Sequence, residues 1–177
     1  QVASIMTTTG YVTTDFDLWP VFSKTVIFIL MFIGAMASST GGGLKVSRIM
    51  ILFKAIRREL KRVLHPRSVS TVQFEGKLLD NATISGTLNY FALYIAAFIF
   101  ILLIICINGF DFETNLSSVA SCINNVGPAF SLAGPTSSYA AFSPLSKIAL
   151  SFAMLLGRLE LYPMLFILVP STWSRKK

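Results

Sequence analysis

Charge, histidine and cysteine are all scarce in this chain, and each scarcity removes a class of function. Charged residues make up 13% of the 177, about half of the roughly 25% typical of soluble domains. That leaves too little polar surface to wrap a core in water. The only histidine, His65, stands beside Pro66 in a basic stretch and reads as a solvated loop residue with no partner motif. The two cysteines, Cys106 and Cys122, show neither metal-ligand spacing nor a paired framework; both are expected to be small buried apolar residues. No nucleophile stands with a base in a catalytic constellation, so an enzyme is not expected. The N-terminus has no initiator Met and no basic region of a signal peptide, and the chain reads as a piece whose beginning is missing.

What is abundant is apolar surface: 54% of residues are hydrophobic and the mean hydropathy is +0.69. Apolar runs long enough to cross a bilayer place the chain among membrane proteins. The net charge of +7 is concentrated beside those runs, in Lys54, Arg57, Arg58, Lys61, Arg62 and Arg67 and again in Arg175, Lys176 and Lys177. Basic clusters flanking apolar spans mark cytoplasmic loops and can touch anionic lipid. Nucleic acid is not an expected partner.

The order of segments predicts a membrane topology. Residues 1–19 are polar and threonine-rich. An apolar helix is expected over Val21–Ala37, interrupted by Ser38-Ser39-Thr40-Gly41-Gly42-Gly43 and resuming as Leu44–Phe53. Three consecutive glycines are poor helix formers, and non-helical backbone at that depth survives only inside protein or beside water. The basic stretch Lys54–Arg67 has helical character up to His65-Pro66, and residues 68–87 form a cytoplasmic connection. Leu88–Asn108 is the cleanest span. Asp111 and Glu113 follow on the outer side with Asp15 and Asp17. Leu116–Ile123 is too short to span and runs into a turn-prone Asn124-Asn125-Val126-Gly127-Pro128, as a re-entrant loop does. A last span over Ser146–Val169 leads to the basic C-terminus. The units expected are therefore 1–53, the basic link 54–87, and 88–177.

A duplication underlies this order. Phe22-Ser23-Lys24 aligns with Leu145-Ser146-Lys147 at an offset of 123, and Met31 with Met154 and Gly34 with Gly157 keep the same register. Each copy follows a glycine-containing polar loop.

Three features carry candidate chemistry. The loops Thr7-Thr8-Thr9-Gly10-Tyr11 and Asn124-Asn125-Val126-Gly127-Pro128 offer oxygens to a dehydrated cation, with glycine admitting backbone angles that a Cβ forbids. Alone, Thr-Thr-Gly-Tyr reads equally as an outer turn; its recurrence before a similar helix favours a filter. The glycine break Ser38–Gly43 suits a gate better than a helix-packing site. It is not a phosphate loop, since Leu44 separates the last glycine from Lys45. Arg158, expected midway along the last span, cannot easily reach either surface and is a functional candidate by default. It would face a wet cavity, backbone carbonyls or a carboxylate, and Glu160 lies on another helix face.

These strings resemble the Trk/Ktr/HKT superfamily of potassium transporters, nearest its TrkH-like membrane subunit. They are Thr8-Thr9-Gly10-Tyr11 with Thr13-Thr14-Asp15-Phe16-Asp17, Ser39-Thr40-x-Gly42-Gly43-x-Lys45, Arg58-Glu59-Leu60-Lys61-Arg62 with His65-Pro66-Arg67, Asn124-Asn125-Val126-Gly127-Pro128, and Gly157-Arg158-Leu159-Glu160. The resemblance implies an all-α integral membrane fold of four helix–pore-loop–helix repeats, of which this chain holds about the last one and a half. A closed pore then needs the missing repeats. The filter residues implied are Thr8, Thr9, Gly10, Tyr11, Asn125, Val126, Gly127 and Pro128, with potassium held by Thr9, Gly10, Asn125, Val126 and Gly127. The gate implied is Ser38, Ser39, Thr40, Gly41, Gly42 and Gly43 with Arg158. Potassium is the substrate and no cofactor is expected in this chain. The partners implied are a second copy in a homodimer, a cytosolic RCK-type nucleotide-binding regulatory subunit of the TrkA/KtrA kind, and membrane lipid. The setting is the bacterial inner (plasma) membrane. The alternatives are a broken-helix secondary cation transporter, which would show a paired break in the other repeat, and a non-conducting scaffold or sensor.

Overall fold

The computed structural model describes residues 1–34, 36, 42–65, 71–74, 76–159 and 161–168. Along these, helices α1 (Val2–Met6), α2 (Val21–Phe32) and α3 (Val46–Leu64) precede a small antiparallel hairpin, β1 (Gln73–Phe74) and β2 (Lys77–Leu78). Helices α4 (Asn81–Cys106), α5 (Phe112–Ile123), α6 (Pro144–Leu159) and α7 (Leu161–Leu168) follow. Short 3-10 turns occupy Phe16–Leu18, Ser131–Ala133 and Tyr139–Ala141. Among the described residues the regular elements are helical except for the hairpin, which sits in the basic link, and an isolated Ile33–Leu44 bridge.

Several boundaries differ from those expected, each for a local reason. α2 stops at Phe32, because Ile33 turns extended and pairs with Leu44, whose carbonyl accepts from the Gly34 amide at 2.8 Å. A Cβ on Gly34 would stand 2.5 Å from the Gly42 carbonyl, so the returning backbone needs a glycine there. Residues 35 and 37, the rest of the expected span, lie outside the described residues. α3 starts at Val46 rather than Leu44 and runs without a break through the basic stretch. Lys and Arg are good helix formers, and Lys61 and Arg62 in its last turn complement the helix dipole.

α4 begins at Asn81, seven positions before Leu88, because the polar run Asn81–Thr87 is helical without being apolar. Its 26 residues extend about 39 Å. Among the described residues it is the one helix long and apolar enough to cross a bilayer. α5 begins at Phe112 rather than Leu116, since Asp111 caps it. The final span is helical on both sides of residue 160, over Pro144–Leu159 and Leu161–Leu168, and residue 160 itself lies outside the described residues. Arg158 lies in α6 and is exposed. Cys122 is buried as expected, but Cys106 is exposed.

α5 is the central element. Nine of its twelve residues are buried, including Ser117, Ser118, Ala120 and Ser121, and small side chains let neighbouring backbones approach. The largest core packs Tyr94, Phe98 and Ile105 of α4 and Leu150 and Ala153 of α6 around Val119 and Ile123 of α5. A second core joins α1 and α2 to the loop after α5 through Ile5, Phe16, Ile27, Met31, Val126 and Phe130. A third, of Ile51, Ala55, Val72 and Ile84, seats α3 on the start of α4.

The Asp111 cap makes a pH prediction. Its Oδ1 accepts from the Thr114 hydroxyl at 2.7 Å and its Oδ2 from the Thr114 amide at 3.1 Å. The hydroxyl bond, then the amide bond, pulls the carboxyl below its ordinary value against the opposing pull of burial. With a depressed folded pKa, the stabilisation is complete above the unfolded value of about 3.9 and fades as pH falls through the folded one. Asp111→Ala should cost about 1 kcal/mol at neutral pH. Asp111→Asn should flatten the acid dependence of the melting temperature of the full-length protein; equal acid sensitivity in variant and wild type rejects the cap.

Candidate functional site

The loops that follow α1 and α5 are built identically. Both helices end in the hydrogen-bond pattern of a left-handed C-terminal turn. Thr8 donates to the Ile5 carbonyl at 3.1 Å and Thr9 to Ser4 at 2.9 Å; Asn125 donates to Cys122 at 3.1 Å and Val126 to Ser121 at 2.9 Å. Thr8 and Asn125 carry φ of 54° and 56°, and two residues later Gly10 and Gly127 carry 78° and 105°. A serine braces each loop from within its helix. Ser4 Oγ donates to the Tyr11 carbonyl at 2.7 Å and Ser121 Oγ to the Pro128 carbonyl at 2.9 Å. Every pair lies 117 positions apart.

Beyond the loops the spacing becomes 123. The 3-10 turns start at Phe16 and Tyr139, and the helices at Val21 and Pro144. Asp15 and Ser138 cap those turns by accepting from the amides of Asp17 and Ala140. In each copy a lysine of the following helix reaches back seven residues, Lys24 Nζ to Asp17 Oδ1 at 2.8 Å and Lys147 Nζ to the Ala140 carbonyl at 2.9 Å. The difference of six residues between 117 and 123 is an insertion in the second loop, which holds the extra turn Ser131–Ala133.

The two loops touch. A Cβ on Gly10 would stand 2.5 Å from the Val126 carbonyl, so Gly10 meets both a positive φ and a backbone contact that admit no other residue without strain. Phe16 and Phe130 pack edge to face at 5.5 Å. Asp17 Oδ2 accepts from the Ser131 amide at 3.1 Å, tying the first unit to the inserted turn. Gly127 differs: nothing stands within 4 Å of its missing side chain. Its carbonyl accepts from the Tyr139 hydroxyl at 3.0 Å, which leaves one lone pair for another donor or a cation.

Under the second loop, Asn124 joins three elements. It is fully buried. Its Oδ1 accepts from the Tyr94 hydroxyl of α4 at 2.8 Å, and its Nδ2 donates to the Ala120 carbonyl of α5 at 2.8 Å. Gly42 and Gly43 press against it: a Cβ on Gly43 would stand 2.7 Å from Asn124 Oδ1, and one on Gly42 would overlap the Asn124 carbonyl. Asn125 beside it donates from Nδ2 to the Met154 carbonyl of α6 at 3.1 Å. α6 meets the loop through Gly157, whose Cβ would overlap the Ile123 carbonyl.

The residues expected to form a filter thus fall into one neighbourhood, Thr8–Tyr11 beside Asn125–Pro128, with Tyr11 largely exposed and Val126 buried. Of the expected gate, Gly42 and Gly43 lie against the second loop. Ser38, Ser39, Thr40 and Gly41 lie outside the described residues, as do Arg67, Glu160 and the basic C-terminus. Ser4, Ser121, Tyr94 and Tyr139 were not among the expected site residues, whereas Asn124 was expected only as part of the second loop. For the serines a sequence signal existed, the Ser-x-x-x-x-x-Gly spacing shared by Ser4–Gly10 and Ser121–Gly127.

The geometry is that of two helix–loop–helix units of like design that meet at their loops. The family model described as TrkH, cation transport protein, matches residues 1–177, and the chain belongs to that family. It is similar to the Trk system potassium uptake protein TrkH of Salmonella typhimurium, 36% identical over 98% of this chain. The protein of the same name from Vibrio parahaemolyticus is 37% identical, over 98% of this chain. The crystal structure of the potassium transporter TrkH from Vibrio parahaemolyticus superposes with a TM-score of 0.85 at 36% identity, over 96% of this chain. The chain spans 35% of the length of those two relatives and 36% of that structure. Members of this family are transport proteins, not enzymes.

Two outcomes test the packing. Tyr94→Phe leaves the buried Asn124 oxygen without its donor and should cost about 1–3 kcal/mol, read as a lower melting temperature of the full-length protein. Gly157→Ala forces a methyl into the Ile123 carbonyl and should destabilise by about 1–3 kcal/mol or more. Gly86→Ala on α4, with nothing within 4 Å, should be neutral or stabilising. Equal melting of the two alanine variants contradicts the contact.

Proposed function

We propose that this chain supplies two adjacent segments of a potassium selectivity filter and the gate next to them, within a multi-pass protein of the bacterial inner membrane. One observation carries the reading: two loops of identical backbone design, each ending in a positive-φ glycine braced by a serine, meet through the Gly10–Val126 contact. Carbonyls and amide oxygens brought together without a fixed charge replace the hydration shell of a monovalent cation. Potassium as the ion rests on the relatives, whose names state potassium uptake. Thr9, Gly10, Asn125, Val126 and Gly127 are the proposed ligands. The open side of Gly127 faces the path, and its carbonyl is steadied by Tyr139.

The glycine segment is the proposed gate, since its described end is held against Asn124 at the base of the second loop. Moving Gly42 and Gly43 would free one side of the side chain on which that loop rests. Arg158, close in sequence to the Gly157 contact, is the proposed partner of this movement. The complete pore would form with the rest of the full-length protein, in a homodimer regulated by a cytosolic RCK-type nucleotide-binding subunit. The alternative, a broken-helix secondary transporter, would require a paired break in the other unit, where the sequence holds Gly157-Arg158-Leu159 without a glycine run.

Rubidium uptake by the full-length protein, with its regulator, in cells lacking their own potassium uptake tests the reading. Wild type should take up rubidium and discriminate against sodium. Gly127→Ser, which places a side chain at φ 105°, should lose flux or discrimination. Unchanged discrimination in a well-expressed variant removes the filter, and saturating uptake driven by a second ion favours the broken-helix transporter.

A further inference from the structure

We propose that the basic edge of α3 binds the phosphate of an anionic phospholipid whose acyl chains cover the adjacent apolar face of the same helix. Lys54, Arg57, Arg58 and Lys61 recur at the spacing of one helix face and, with Thr71, Val72 and Gln73, line a cavity of about 420 Å3, with no acidic side chain among the described residues that line it. Two of the four are fixed from behind. Lys54 Nζ donates to the Gln73 carbonyl at 2.7 Å and lies 5.5 Å from the Phe74 ring. Arg58 donates to Asn81 Oδ1 at 3.0 Å and pairs with Glu59 at 3.2 Å. The second contact of Glu59 is Arg62, at 3.9 Å. Among the described residues, Arg57 and Lys61, one turn apart, have no acidic partner. Four cations so placed repel one another, and an anion relieves that repulsion.

What selects a lipid over a free anion is the rest of the helix. Ile51 and Ala55 face inward onto Val72 and Ile84. The opposite side presents Phe53 at 70% exposure, Leu60 at 61% and Val63 at 78%, with Ile56 and Leu64 also bare. A helix with an apolar outer face and a lysine- and arginine-rich edge lies in the boundary between acyl chains and headgroups. A free phosphate would meet only the cationic edge, whereas one phospholipid meets both the edge and the apolar face beside it. A second copy of this chain would bring two cationic edges together, which disfavours it as the occupant.

Native mass spectrometry of the full-length protein, titrated with phosphatidylglycerol or phosphatidylcholine, tests the site. Phosphatidylglycerol should be retained in preference. Arg57→Gln with Lys61→Gln should weaken that retention by about tenfold or more, while the control Arg175→Gln with Lys176→Gln, an equal loss of charge elsewhere, leaves most of it. Both changed side chains are at the surface, so folding is kept and is checked by melting temperature. Phe53→Ser with Leu60→Ser, which keeps every charge, should also weaken it. Equal retention of the two lipids, or equal effects of the two charge-removing pairs, overturns the site. Displacement by millimolar inorganic phosphate, with the apolar variant unaffected, overturns the lipid and assigns the cavity to a free anion.

Discussion

Asn124 is the side chain on which three packed segments converge. A buried amide must satisfy both its ends or cost the fold. Here the oxygen is held by Tyr94 and the nitrogen by Ala120, each at 2.8 Å. Those bonds fix the amide so that it presents a constant surface to Gly42 and Gly43. The second loop leaves α5 from this residue, so the direction of Asn125, Val126 and Gly127 follows from how Asn124 is held. Loss of any one contact would alter the footing of the others.

Glycine serves the same end by removing side chains where main chains must meet. Gly10 against Val126, Gly42 against Asn124 and Gly157 against Ile123 are all contacts in which a Cβ would strike a carbonyl. Around the second loop the main chain is thus packed against main chain on three sides. Such packing is stiff, because carbonyls cannot swing away as side chains do. Of the two glycines at the like-built loops, Gly10 is closed in and Gly127 is open, and Gly127 is the position proposed to face the ion.

Much of this was legible in the sequence, and the failures have identifiable causes. The apolar run of α4, the end of α3 at Leu64 and the glycine-centred loops carry strong local signals, and all three are found in place. Helix starts were missed where they are polar, at Asn81–Thr87 and Phe112–Asn115, because an apolar pattern is blind to a capped polar turn. The duplication was visible at an offset of 123 in the helices but not at 117 in the loops, because the insertion around Ser131–Ala133 shifts the register. Ser4 and Ser121, identical and decisive for both loops, were hidden by that shift. The Tyr94–Asn124 bond joins residues 30 apart, and no local pattern announces it.

The account ties ion passage to a buried amide, and this is where it is most exposed to test. The most direct measurement is rubidium influx through the full-length protein carrying Asn124→Leu, with the amount of folded protein in the membrane quantified alongside. Leucine keeps the volume of the side chain and loses both hydrogen bonds. The account predicts normal insertion with influx that is abolished or no longer distinguishes rubidium from sodium. Influx and discrimination equal to wild type would contradict it.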